Sequence, residues 1–194
     1  HLSQVLRPGF PFPQPQNANM TSQEFSSLTT RADAGDPEAQ YRLGVCYDQG
    51  EGVPQDYATA ASWIAAAAEQ GLAQAQSTLG LYHSKGEGVA QDFALAAKWF
   101  RAAAAQGEPR SAFNLALLLQ AQLVPEQTPG EAAAWLKHAA VAGTPDAQLN
   151  YGTDTRATAE SPADKDVAAE WIFAAAKSGL AEAQYQLALM LDTG

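Results

Sequence analysis

The sequence is short of cysteine and of charged residues. Cys46 is the single cysteine among 194 residues, so neither an internal disulfide nor a metal site built from several thiolates is possible. Only 16% of the residues are charged and 46% are hydrophobic, which excludes the composition of a disordered chain. No apolar run approaches the roughly 18 residues that a membrane-spanning helix needs. These shortages favour a chain that folds around an ordinary apolar core.

Positive charge is also scarce. The chain has 21 acidic and 11 basic side chains, a formal net charge of −10. An acidic surface repels phosphate groups, so nucleic acid and anionic lipid are poor partners. The same surface would steer a basic protein towards it, although many proteins are acidic without having such a partner.

The N-terminal region differs from the rest in its prolines, at positions 8, 11, 13 and 15. We expect residues 1–22 to form an extended, proline-rich segment. The first residue is His1 instead of methionine. It follows a removed signal peptide or marks a cloning boundary, and the sequence does not distinguish the two.

The remainder of the chain repeats itself every 36 residues, without insertions. All four tryptophans occupy one column of the repeat, and columns of glycine, glutamine and leucine accompany it. The columns are Trp63, Trp99, Trp135 and Trp171; Gly35, Gly71, Gly107, Gly143 and Gly179; Gln40, Gln76, Ala112, Gln148 and Gln184; and Leu43, Leu79, Leu115, Tyr151 and Leu187. A fixed period of this length is typical of stacked helix pairs.

Each unit contains two predicted helices, which we call helix A and helix B. In helix A, Ala39, Leu43 and Tyr47 recur at i, i+4 and i+8 and form one apolar stripe. Gly50 favours a left-handed end to that helix, and Asp56 is placed to cap helix B. Glycines beside the stripe, at positions 44, 80 and 152, indicate close helix packing.

We therefore predict an all-α fold, a right-handed α/α superhelix (solenoid) of 36-residue helix-turn-helix repeats with about ten helices. Residues 23–194 would form a single domain. Its parts are a half unit at 23–35, full units at 36–71, 72–107, 108–143 and 144–179, and a half unit at 180–194. Because the last half unit would expose an apolar face, we expect the chain to continue past Gly194.

The stretch AQYRLGVCYDQGEGVPQDYATAASWIAAAAEQG, residues 39–71, resembles the Sel-one-like repeat (SLR), a relative of the tetratricopeptide repeat. Residues 75–107 resemble it nearly as well, and the resemblance covers residues 25–194. It implies an α-solenoid that works as an adaptor between proteins. Units three and four depart from the loop pattern at residues 120–130 and 153–162, and we expect a shortened or frayed helix A in unit four.

No residue pattern predicts catalysis, a metal site or a cofactor. His83 and His138 have no acidic or cysteine cluster beside them, so core or surface roles are favoured. Some cysteine-rich SLR proteins were proposed to bind or cleave penicillin-like molecules, and these pair cysteines within each repeat. Here the column of Cys46 contains Tyr82, Leu118 and Asp154, so the analogy fails and packing is the favoured role for the thiol.

One column of helix A is apolar on the side away from the leucine column. Its members are Tyr41, Ser77, Phe113, Leu149 and Tyr185, and the polar positions beside it are Arg42, Thr78, Asn114, Asn150 and Gln186. In tetratricopeptide-like arrays this side lines the concave surface, so these residues are our candidate partner-binding stripe. The alternative is that they pack against helix A of the next unit. We favour packing for Leu149 and binding for Phe113 and Tyr41.

The predicted function is a non-catalytic scaffold that binds a protein partner on its concave face. A narrower hypothesis is an exported, periplasmic immunity protein that blocks a phospholipase toxin of the type VI secretion system, since some SLR proteins act in this way. The alternatives are a penicillin-interacting or hydrolase-type enzyme, an architectural segment of a longer envelope protein, and a cytoplasmic location. The oligomeric state stays open.

Overall fold

The computed structural model describes residues 20–125 and 127–193, and within them the chain forms ten α-helices and no strand. The helices are α1 Ser22–Asp33, α2 Pro37–Gln49, α3 Tyr57–Glu69, α4 Ala73–Lys85, α5 Phe93–Ala105, α6 Pro109–Gln120, α7 Glu131–Val141, α8 Pro145–Ala157, α9 Pro162–Lys177 and α10 Ala181–Thr193. The predicted all-α array of helix pairs is confirmed. The proline-rich prediction for residues 1–19 lies outside the described residues.

The described chain divides into two compact units, each of which contains several repeats. We call them the first unit and the second unit, as distinct from the 36-residue repeats, which are numbered one to four. The first contains residues 20–108 and 123–125, and the second contains residues 109–122 and 127–193. In the first unit, α2 packs against α3, α4 against α5, and α3 also contacts α4. In the second, α6 packs against α7, α8 against α9, and the B helices α7 and α9 contact the A helices that follow them. Each unit is thus a stack of A and B helices.

Aspartate caps begin α2, α3 and α5, and left-handed glycines end α2 and α4; the cap at Asp56 and the end at Gly50 agree with the repeat pattern. The Asp56 carboxylate accepts hydrogen bonds from the backbone amides of Ala58 and Thr59 at 3.0 and 3.2 Å. Asp36 and Asp92 cap α2 and α5 in the same way. Helices α2 and α4 end at Gly50 and Gly86 with φ of 74° and 76°, values that an L side chain rarely adopts.

Small residues allow the two helices of a unit to approach closely. A Cβ on Gly44 would lie 2.6 Å from Cγ1 of Ile64, and a Cβ on Gly152 would lie 2.8 Å from Cγ1 of Ile172. Gly80 faces the ring of Phe100 at 2.7 Å in the same manner. Each of these positions therefore has room only for hydrogen, which explains why the glycine recurs inside a helix.

The expectation of a shortened helix A in unit four is wrong. Helix α8 has 13 residues, the same number as α2 and α4. The hydroxyl groups of Thr153 and Thr155 donate to the carbonyl oxygens of Leu149 and Tyr151, one turn earlier, at 2.8 and 2.7 Å. These bonds satisfy both threonine hydroxyls within the helix, so the polar sequence does not interrupt it.

Candidate partner-binding surface

The structure separates the predicted partner-binding stripe into buried and accessible residues. Buried members are Tyr41, Ser77, Thr78 and Leu149; half-buried members are Phe113, Asn114, Asn150 and Gln186; exposed members are Arg42 and Tyr185. Whether the accessible members bind a partner stays a prediction. The buried members have no surface to offer to one.

Tyr41 shows why the apolar column is largely buried. Its side chain is 4% exposed and belongs to the apolar cluster that contains Ile64, Leu79 and Tyr82. The Tyr41 hydroxyl lies 3.4 Å from Oγ1 of Thr78, on the next A helix. Burial raises the pKa of the Tyr41 hydroxyl. The expected exposure of Tyr41 is therefore wrong, because α3 and α4 enclose the side chain.

The accessible face of helix A lies about 100° away from the column of Tyr41, at the next residue along the helix. In the first unit, Glu38 and Arg42 are exposed on α2, and Gln74 and Lys85 are exposed on α4. Glu38 and Arg42 are four residues apart on α2, and Gln74 and Lys85 are eleven residues apart on α4, so each pair lies on one side of its helix. Only Arg42 belonged to the predicted stripe. The missed residues carry a weak sequence signal, since polar residues at these positions are typical of any solvated helix.

The second unit presents a different accessible face. Phe113, Asn114 and Leu117 of α6 are half-buried, as is Asn150 of α8. Asn114 and Asn150 occupy the same column, one repeat apart. Among the described residues, neither side-chain amide has a hydrogen-bond partner. Gln120 Nε2 donates a hydrogen bond to Oδ2 of Asp154 at 2.9 Å, which joins α6 to α8 at the ends of these helices.

The Cys46 thiol lies in the apolar core of the first unit. Cys46 is 3% exposed, and burial together with the nearby Glu51 raises the pKa of its thiol. A raised pKa leaves less of the reactive thiolate. Within residues 20–125 and 127–193, no group of three or more His, Cys, Asp or Glu side chains could hold a metal ion. In the same residues, no helix has the length and apolar character required to cross a membrane.

The Sel1 repeat family model matches residues 37–72, 73–108, 145–180 and 181–194. A search of curated proteins found no significant match. Among solved structures, the chain is similar to a Sel1 repeat protein from Oxalobacter formigenes, with 32% identity, a TM-score of 0.75, and coverage of 86% of this chain and 68% of that one. It is also similar to c5321, a protective antigen of uropathogenic Escherichia coli strains with an SLR fold.

The similarity to c5321 has 27% identity and a TM-score of 0.50, and it covers 89% of this chain but only 44% of that protein. Residues 109–144 lie between the family matches, in the unit whose loop departs from the repeat pattern. Sel1 repeats generally form non-catalytic scaffolds for protein–protein interaction. Because the family matches cover more than half of the sequence, this chain belongs to the Sel1 repeat family.

Proposed function

We propose that this chain is a non-catalytic scaffold whose second unit binds an extended segment of a partner protein across α6 and α8. The observation that supports this proposal is that Asn114 and Asn150 are half-buried residues whose side-chain amides reach solvent and are not hydrogen-bonded within the described residues. A carboxamide has two donors and an acceptor, as a peptide backbone has both a donor and an acceptor.

The spacing of the two amides suits an extended chain. Asn114 and Asn150 lie one repeat apart on α6 and α8, which are joined by the Gln120–Asp154 hydrogen bond at 2.9 Å. An extended chain advances about 3.3 Å per residue, so a segment of several residues is long enough to cross both helices. Phe113 and Leu117 are half-buried beside Asn114 and would contact apolar side chains of the same segment.

The test compares partner retention by the wild type and by the double variant Asn114→Ala, Asn150→Ala. The partner is first captured on the wild-type protein from the source cells and identified by mass spectrometry, and its affinity is then measured by calorimetry. Because each lost hydrogen bond contributes about 0.5–1.5 kcal/mol, we expect the Kd to rise about 5-fold to 150-fold. The matched control is Lys137→Ala, Lys177→Ala, which changes two exposed residues on the B helices of the same unit.

An equal loss of affinity in the control, or none in the asparagine variant, would contradict the proposed surface. Circular dichroism should give the same helical signal for all three proteins, because the four substituted side chains are not part of the buried core. A loss of helical signal in the asparagine variant alone would make both residues structural.

A narrower proposal gives the partner an identity, a phospholipase toxin of the type VI secretion system that this chain inhibits in the periplasm. The net charge of −10 supports a basic partner surface and no more than that. Co-expression with such a toxin should restore growth if the proposal holds. Continued lysis, or recovery of the native protein only from the cytoplasmic fraction, would contradict the narrower proposal and leave the scaffold role intact.

A further inference from the structure

Helix α9 presents an aromatic ring to solvent between two opposite charges. Phe173 is 57% exposed, whereas its neighbour Ile172 is buried in an apolar cluster of the second unit. Glu170, Phe173, Ala174 and Lys177 are spaced at i, i+3, i+4 and i+7, so they lie on one side of the helix. Glu170 and Lys177 are exposed and Ala174 is half-buried. We call these four residues the α9 face.

The exposure of this face is a property of the repeat. A complete repeat follows repeat three, and yet its positions equivalent to 170, 173 and 177 are exposed as well: Ala134, Lys137 and Val141. Repeat four differs in the residue that it places there, because the column of Phe173 otherwise contains Ala65, Arg101 and Lys137. The stacking of repeats therefore leaves this side of helix B accessible, and in α9 the side carries a large apolar ring.

The two charged residues of the face have no partner in their own chain. Within residues 20–125 and 127–193, neither the Glu170 carboxylate nor the Lys177 ammonium takes part in a hydrogen bond or an ion pair. Glu170 lies three residues before Phe173 and Lys177 four residues after it, which is about 4.5 and 6 Å along the helix axis. Opposite charges on the two sides of one centre are complementary to the same surface turned by 180°.

An antiparallel pair of α9 helices uses this symmetry. Positions 170 and 177 are equally far from the midpoint between Phe173 and Ala174, so a two-fold axis at that midpoint places Glu170 of each copy opposite Lys177 of the other. Each Phe173 ring then meets the small side chain of Ala174 in the other copy. A parallel pair would place like charges opposite each other, which is unfavourable.

We propose that two copies of this chain pair through the α9 face, with the helices antiparallel and the contact between Glu170 and Lys177 formed twice. A face one helix wide buries less than the roughly 800 Å² per partner of a standard interface. We therefore expect a weak dimer with a Kd between about 10 µM and 1 mM. This interface is separate from the asparagine surface on α6 and α8, and it goes beyond the proposed scaffold function.

Sedimentation equilibrium of the 194-residue protein measures the pairing. We expect a monomer–dimer equilibrium that added salt weakens, because salt screens exposed ion pairs. Phe173→Ser should raise the Kd at least about tenfold, since the central apolar contact is lost from both copies. The matched control is Tyr185→Ser, which removes an aromatic ring that is 61% exposed on α10, and it should dimerise as the wild type does.

Charge reversal tests the antiparallel arrangement. Glu170→Lys and Lys177→Glu should each weaken self-association at least about fivefold, because in each variant both ion pairs become contacts between like charges. An equimolar mixture of the two variants should form a heterodimer, since every acidic residue of one variant then faces a basic residue of the other. Failure of the mixture to pair, when the wild type does pair, would overturn the antiparallel geometry.

A wild type that stays monomeric up to about 1 mM would overturn the proposal, as would a dimer that Phe173→Ser leaves intact. Circular dichroism checks that the variants fold, because the substituted side chains are exposed. The variant Asn114→Ala, Asn150→Ala should dimerise as the wild type does. Lys137→Ala, Lys177→Ala should weaken the dimer and keep its affinity for a partner on α6 and α8. Failure of the asparagine surface and failure of the α9 face are thus distinguished.

Discussion

Gln70 donates a hydrogen bond from its Nε2 to Oε1 of Gln40, 2.7 Å away, and Gln40 donates from its own Nε2 to the carbonyl oxygen of Ala32 at the end of α1. The next repeat has the same arrangement, with Gln106 donating to Gln76 at 2.8 Å. These amides donate a further hydrogen bond to carbonyl oxygens at the helix ends, which also accept a bond from the backbone amide of the glycine three residues later. The glutamine column of the sequence is therefore a column of helix-end contacts.

In the second unit, Ser178 stands where this arrangement has its donating glutamine, which gives a first prediction. Gln148 donates to the carbonyl oxygen of Ala140 at 3.3 Å, but its buried Oε1 has no hydrogen-bond partner within the described residues. Ser178 caps α9 at the position where Gln70 caps α3. Ser178→Gln should supply the missing donor and raise the free energy of unfolding by about 1 kcal/mol, measured by urea denaturation. Ser178→Ala is the control, and equal stability of the two variants would contradict the assignment.

A matched pair of glycines separates backbone strain from steric overlap. Gly88 has a φ of +68°, and a Cβ there would overlap the carbonyl oxygen of Tyr57, a backbone atom. Gly52 occupies the same loop position one repeat earlier, with a φ of +73°, and the nearest atom to its Cβ would be Cδ2 of Phe25, at 3.7 Å. Gly52→Ala should cost about 1–2 kcal/mol from the left-handed backbone alone.

Gly88→Ala should lower the free energy of unfolding by about 3–5 kcal/mol, more than Gly52→Ala does, because a Cβ at position 88 forces the loop to move away from α3. Thermal and urea unfolding of the two variants provide the comparison. Equal losses would mean that the loop moves without penalty and that only the backbone conformation requires glycine.

The buried Asp48 gives a prediction about pH. Tyr82 of α4 donates its hydroxyl hydrogen to Oδ1 of Asp48, and both side chains are buried. Burial raises the pKa of the Asp48 carboxyl despite this hydrogen bond; the nearby Glu87 raises it further and Lys85 opposes the rise. A carboxyl with a higher pKa in the folded state contributes stability below its unfolded pKa of about 3.9 and loses it as the pH rises through the folded pKa.

Asp48→Asn removes this titration, so its stability relative to the wild type should increase as the pH rises from about 4 to 7. The control is Asp56→Asn. Hydrogen bonds from Thr59 lower the pKa of the Asp56 carboxyl, so the wild-type contribution there is lost as the pH falls. Asparagine also caps helices well. Urea unfolding would refute the assignment to Asp48 if the stabilities of the two variants, each relative to the wild type, changed with pH in the same way.

Periodicity predicted the helices, their order and their caps, because each rests on local contacts that one repeat already contains. Helix α8 was misjudged from its polar sequence, since threonine hydroxyls can bond to the turn before them. The apolar column of the predicted binding stripe is largely buried, whereas Arg42, Asn114 and Asn150 of the polar column beside it are exposed or half-buried. A rotation of about 100° decides whether Tyr41 faces solvent or the next helix, and that angle depends on helix packing, which composition does not determine.

Tyr41 and Tyr185 test this distinction directly, because they occupy one column with opposite exposure. Tyr41 is 4% exposed within the core of the first unit, whereas Tyr185 is 61% exposed on α10. Removing a buried aromatic ring costs about 3–5 kcal/mol through lost contacts and the cavity that remains. Exposed substitutions usually change stability by less than about 0.5 kcal/mol. Tyr41→Ala should therefore lower the unfolding free energy severely while Tyr185→Ala leaves it nearly unchanged, as urea denaturation followed by circular dichroism would measure. Similar small effects for both would place Tyr41 at the surface after all and return it to the partner-binding stripe.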